Sequence, residues 1–313
     1  MSNNSSVQSA GVNYVVRQLN YKVVIVQVLI AVFLYINFML IITFLKRDFF
    51  RTSMRYIFFA LTLLFDCLFL VLSDILLLMS YFQWTLQVSL CSLIYIVLSL
   101  STFVTPITLT AMTFERYVAI CMPLHYGKLC NMRSALYCIL IIHGLSCIPI
   151  MINISIFFAI AAHSFYIQYR VCSVEMFIIH KWQGNVRSAV HQLYFLIMSV
   201  SIVFSYVKIM KVAKVASGEN KKSSRKGLQT VTLHAFQLFL CLTYLWCPFI
   251  ETAVRQFDFM LFINVRYFNY ITFILAPKCL SPLIYGLRDE KFFLALKCYA
   301  SFGLYKKKSS DFL

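Results

Sequence analysis

Met112-Thr-Phe-Glu-Arg-Tyr-Val-Ala-Ile-Cys-Met-Pro-Leu-His-Tyr126 is the stretch whose reading decides the fold. An apolar run of more than twenty residues ends here in an adjacent acid and base, Glu115 and Arg116, and Pro123 follows at once in a short loop. A charged pair at the end of a membrane span is expensive to desolvate, which marks it as a functional group rather than filler.

The rest of the chain supports a membrane reading of that run. Of its 313 residues 61% are hydrophobic and only 12% charged, whereas a soluble domain is about 45–50% apolar and about 25% charged. Seven apolar runs stand near 22–45, 54–79, 91–120, 135–160, 190–213, 228–253 and 264–286, each close to the length that a helix needs to cross hydrocarbon. The short alternating segments of a β-barrel are absent. The expected fold is an all-α membrane protein, a single seven-transmembrane helix bundle over 22–286. A tail of 1–21 precedes it and a segment of 287–313 follows.

Basic residues orient the bundle. Twenty of the 28 Lys and Arg lie in the loops after the odd-numbered runs and in the C-terminal tail, seven lie on the other side, and Lys278 is inside the last run. Cytoplasmic loops collect Lys and Arg, so the N-terminus is expected outside and the C-terminus inside. The formal net charge of +17 is accounted for by basic loops beside anionic lipid, with no nucleic-acid partner needed. Eleven cysteines form no CxxC pair and no Cys/His cluster, so no metal or other cofactor is expected. The outer tail carries overlapping N-glycosylation triplets at Asn3 and Asn4.

Polar residues inside the runs are the candidates for function. Asn37 and Asp66 sit in the middle of the first and second runs, with Asp74 further toward the outside. The third run starts at Cys91, 25 residues before Arg116, roughly 37 Å along a helix, which puts Cys91 at the outer face. The outer loop between runs four and five holds one cysteine, Cys172; the two either form a disulfide over the bundle mouth or remain free thiols. Between them Leu98, Ser99 and Thr102 share a helix face that suits a small, mostly apolar ligand, or else serve helix packing. Trp246-Cys-Pro248 in the sixth run allows a kink that a ligand can bias, and Glu251 and Thr252 follow. Tyr267 and Ile271 complete the ligand-pocket candidates from the seventh run. After Arg288, Phe292, Phe293 and Leu296 fall on one face of a short amphipathic helix suited to the inner leaflet.

On these residues, the chain resembles the rhodopsin-like G-protein-coupled receptors and, within them, the odorant receptors. The stretch Met112–Tyr126 is similar to that family's Met-Ala-Tyr-Asp-Arg-Tyr-Val-Ala-Ile-Cys-x-Pro-Leu-x-Tyr signature, with Thr113, Phe114 and Glu115 departing. Ser205-Tyr206, the spacing of Lys226, Thr230 and His234, Ser281-Pro282-Leu-Ile-Tyr285 and Leu287-Arg-Asp289 resemble further family motifs. The single loop cysteine and the Trp246-x-Pro248 pattern depart from the usual odorant receptor, and a fish-type member fits best. The resemblance implies a non-enzymatic receptor that spans the lipid bilayer of the plasma membrane, binds a small-molecule odorant outside the cell and activates a stimulatory, olfactory-type heterotrimeric G protein inside it. It assigns the activation switch to Glu115, Arg116, Tyr117, Tyr206, Pro282 and Tyr285. It also sets Lys278, four residues before Pro282, near Asp66, in place of the sodium ion of related receptors; snorkelling to the surface is the other reading of Lys278. The rival functions are a receptor of this fold for a peptide or amine, and a transporter or channel built on the buried charges.

Overall fold

The computed structural model describes residues 3–46, 48–215 and 218–280. Pro282, Tyr285 and the amphipathic segment after Arg288 lie outside the described residues, as does the side chain of Thr252.

Long runs rich in Leu, Ile, Val and Phe give long helices, and α6 takes Gly144 in its interior without a break. The first crossing is α1 (Asn3–Lys46), whose apolar part is Asn20–Lys46; helix therefore begins well inside the expected tail. A short α2 (Asp48–Thr52) leads to the second crossing, α3 (Met54–Tyr81). The third is α4 (Val88–Cys121), followed by α5 (Pro123–Leu129), which Pro123 opens in its first turn. The fourth, α6 (Met132–Ile160), starts at an Asn131 cap that accepts the Ser134 N–H at 2.9 Å. After the short α7 (His163–Tyr166) comes the fifth crossing, α8 (Lys181–Val215).

The last two crossings are interrupted. The sixth runs through α9 (Gly218–Thr243), tightens to a 3-10 turn over Tyr244–Trp246 and resumes as α10 (Cys247–Arg255), with Pro248 in its first turn. The missing proline N–H explains why the ladder changes there. The seventh begins as α11 (Phe259–Asn269), capped by Asp258, widens to a π turn over Tyr270–Leu275 and continues helical to Leu280. Among the described residues six helices are long and apolar enough to cross a membrane, and the divided sixth crossing is the seventh.

Helix α4 is the axis of the bundle and packs on α3, α6, α8 and α9. Its many hydroxyls survive burial because they bond their own helix: Ser101, Thr102, Thr108 and Thr113 each donate to the carbonyl four residues back at 2.6–2.9 Å. Large apolar side chains also point outward, among them Leu140, Val200, Val203 and Phe239. On a water-soluble fold such faces would be a liability; against lipid they are the expected surface.

One end of the bundle is covered by a small sheet. Strands β1 (Thr85–Gln87) and β2 (Tyr169–Val171) pair antiparallel, Leu86 opposite Arg170. The Cys91–Cys172 disulfide, with Cα atoms 5.7 Å apart, pins this loop to the start of α4. Phe177 stacks on Tyr95 at 4.4 Å and closes the lid from inside.

Candidate functional site

Two polar stations and a cavity lie along α4. At the end away from the disulfide, Glu115 is 3% exposed and its Oε2 lies 3.4 Å from Arg116 Nε. Its other oxygen accepts the Tyr126 hydroxyl at 2.7 Å. Burial and the neighbouring carboxylate push the Tyr126 phenol well above its ordinary pKa, so it stays a donor. The Cys130 thiol is pushed up to about 11 by burial and then by Glu115. Tyr117 packs at a tilt on Phe204 of α8, ring centroids 5.8 Å apart. Tyr206 is partly buried against the same core, and among the described residues it makes no bond to Arg116. Thr113 Oγ1 and His234 Nδ1, 3.3 Å apart, tie the third crossing to the sixth one helix turn away.

The middle station is ionic. Lys278 Nζ donates to Asp66 Oδ1 at 2.7 Å and to Thr105 Oγ1 at 2.9 Å. Thr105 donates in turn to Asp66 Oδ1 at 2.8 Å. Asp66 is 0% and Lys278 6% exposed. Three crossings thus meet at one buried, fully polar knot, and Lys278 does not snorkel. Separating such a pair from one side costs about 3–5 kcal/mol, because the survivor is a buried charge. Asn37, also fully buried, stands beside Cys67 rather than in this knot. Gln237 adds a tie between the sixth and seventh crossings by donating to the Pro277 carbonyl at 2.8 Å.

Directly against the knot is a cavity of about 50 Å³. On this scale about 10–15 Å³ holds one water, so the space fits a small molecule. The third crossing lines it with Thr102, Phe103 and Pro106, and the fifth with His191, Tyr194 and Met198. Phe69, Tyr244, Phe273, Ile274, Pro277 and Lys278 complete the wall from the second, sixth and seventh. His191 meets the Phe103 ring edgewise at 4.9 Å.

Of the expected pocket residues whose side chains are described, Thr102 alone is on this wall. Leu98 is buried in the packing of α4, and Ser99 is half-buried one step away. Trp246 is 52% exposed, and Tyr244 lines the cavity instead; two residues along a 3-10 or α turn are on opposite faces, so only one of them can face in. Glu251 accepts from the buried Asn269 amide at 3.0 Å above the cavity. Tyr267 and Ile271 pack on Val26, Ile30, Leu70 and Leu275. The π turn is the cause: it adds one residue to the helix, rotating the residues beyond it by about 100° and separating the face of Ile271 from that of Lys278.

No sequence signal marked His191, Tyr194, Met198 or Phe273, which belong to no motif and reach the cavity only by helix rotation. Tyr126 closes the stretch that begins at Met112, and its spacing from Glu115 was the available clue to their bond.

The model of the 7 transmembrane receptor (rhodopsin family) matches residues 36–285. Odorant receptor 131-2 of Danio rerio is 41% identical over 97% of this chain and 93% of its own length. More distant similarity extends to human Olfactory receptor 4K1, 24% identical over 58% of this chain and 57% of that protein. Human Olfactory receptor 14J1 is 26% identical over 60% and 59%. This multi-pass membrane protein belongs to the rhodopsin family of seven-transmembrane receptors, among its odorant receptors.

Proposed function

We infer that the chain detects a small, mostly apolar odorant entering from the extracellular side and activates a stimulatory, olfactory-type heterotrimeric G protein at its cytoplasmic end, in the plasma membrane. The observation that carries the reading is the aromatic cavity set against the Asp66–Thr105–Lys278 knot, on the same helix whose other end holds Glu115 and Arg116. The name of the zebrafish relative supports odorants as the ligand class. Orientation rests on the excess of Lys and Arg in the loops at the Glu115 end and on the disulfide at the other.

In the resting receptor Glu115, itself fixed by the Tyr126 hydroxyl, holds Arg116, and Thr113–His234 holds the sixth crossing against the third. A ligand that binds the opened arrangement more tightly moves the sixth crossing outward, along the break at Tyr244–Trp246. Equal affinity for both arrangements shifts nothing. Arg116, Tyr206 and the Pro282–Tyr285 segment then receive the G protein. Asn3 and Asn4 carry glycans on the outer tail.

The test is a cAMP readout in cells expressing the chain, challenged with a broad odorant panel that includes water-soluble amino acids. A dose-dependent rise to one or more members is expected. A ligand-independent ion current with no cAMP response to any member overturns the reading.

A further inference from the structure

We propose that Lys278 is the polar contact of the ligand, and that the receptor is tuned to small neutral molecules bearing a hydrogen-bond acceptor, such as ketones, rather than to acids, amines or plain hydrocarbons. The proposal rests on the reading of the aromatic cavity as the ligand site.

Two hydroxyls on the cavity wall are already in use as donors. Thr102 gives its proton to the Leu98 carbonyl at 2.9 Å and Tyr194 gives its own to the Leu145 carbonyl at 2.9 Å. Lys278 has three N–H bonds. Two go to Asp66 and Thr105; among the described residues the third has only the face of Phe69, 4.8 Å from Nζ to the ring centroid. Lys278 is itself on the cavity wall, so an acceptor atom in the cavity completes its coordination.

Charge decides which acceptor. Among the lining residues described, Lys278 alone carries a formal charge with histidine neutral, and Asp66 already balances it. A carboxylate ligand would leave two buried anions against one cation, and an ammonium ligand would set two cations side by side; both are penalised away from water. A neutral carbonyl oxygen takes the third N–H without changing the charge. A hydrocarbon fills the same apolar wall but leaves that N–H unmet. Hydrogen bonds to charged groups are the strong ones, so the ketone advantage over its hydrocarbon is about 10- to 100-fold in affinity. Because the acceptor shares an ammonium that ties the second, third and seventh crossings, its binding bears directly on the knot between the cavity and Arg116.

The experiment uses the full chain in lipid nanodiscs and follows thermal stabilisation against concentration for cyclohexanone, cyclohexane, cyclohexylammonium and cyclohexanecarboxylate. Cyclohexanone is expected to half-saturate at roughly 10- to 100-fold lower concentration than cyclohexane, with both ions weaker than the ketone. In the Asp66→Asn/Lys278→Met double variant the ketone preference over cyclohexane falls below about threefold. Coincident curves for ketone and hydrocarbon, an ion that outranks the ketone, or a ketone preference retained in the double variant overturns the proposal. The wild-type series decides without any variant needing to fold. Met198→Trp, which fills the cavity, separates the two levels: ketone stabilisation that persists in it defeats the cavity reading itself, whatever the ligand class.

Discussion

Removing the Lys278 side chain is the sharpest perturbation of the buried knot. In Lys278→Met, Asp66 loses a charge-assisted bond of 2.7 Å, Thr105 loses one of 2.9 Å, and a carboxylate with no exposure is left without its countercharge. Thr105 still donates to Asp66 at 2.8 Å and softens the loss. Breaking a buried pair from one side costs about 3–5 kcal/mol, a large share of the roughly 5–15 kcal/mol that holds a folded domain together. Lys278→Met is therefore expected to reach the cell surface poorly and to melt well below the wild type. Adding Asp66→Asn removes the stranded charge, and the double variant recovers most of the loss, since a buried pair is worth little relative to neutral groups of similar size. The cycle of wild type, both single variants and the double variant, read by thermal midpoint of the purified receptor and by surface labelling, yields a coupling of about 2 kcal/mol or more. If Lys278→Met matches the double variant, or either single variant matches the wild type, the knot is not an energetic unit.

Tyr126→Phe deletes the 2.7 Å bond to Glu115, worth about 1.5–3 kcal/mol to a charged acceptor. With Arg116 less firmly held, basal cAMP in expressing cells rises severalfold at equal surface level; an unchanged baseline counts against the latch. Cys130, pushed up to about 11, is about one part in a thousand thiolate at pH 8. Its alkylation by iodoacetamide in permeabilised cells is slow there and rises about tenfold per pH unit until near pH 11; rapid labelling at pH 8 refutes that environment. Peptide-N-glycosidase is expected to lower the apparent mass of the wild type and to leave the Asn3→Gln/Asn4→Gln variant unshifted, and a wild type that does not shift speaks against an outer, glycosylated tail.

Much of the bundle was legible because hydropathy reports burial in lipid directly. Among the described residues each expected apolar run has a helical counterpart, and helices run past the apolar part at their ends, as where α8 starts at Lys181 rather than near 190. The resemblance, carried over to Lys278 four residues before Pro282, pointed to Asp66, 212 residues away. Thr105, the third member of the knot, was visible only as one hydroxyl among many on α4. The pocket was harder to read because it depends on rotation. Counting turns assumes 3.6 residues throughout, and both the 3-10 turn at Tyr244–Trp246 and the π turn at Tyr270–Leu275 break that count. Those two irregular turns moved the wall from Trp246 to Tyr244 and from Tyr267 and Ile271 to Phe273 and Ile274. The stretch from Met112 to Tyr126 pointed to the proposed transducing end, and only the three-dimensional arrangement showed the cavity proposed as the receiving end.

The central claim is that this chain is a ligand-gated activator of a G protein working through Arg116. The direct measurement is guanine-nucleotide exchange on a purified stimulatory G protein mixed with the full-length receptor in lipid vesicles, using an odorant found active in the cAMP panel. The account predicts that the odorant accelerates exchange in a saturable manner and that Arg116→Ala, folded and binding the same odorant, abolishes the acceleration. Exchange that ignores both the odorant and Arg116, together with an ion conductance in the same vesicles, would contradict it.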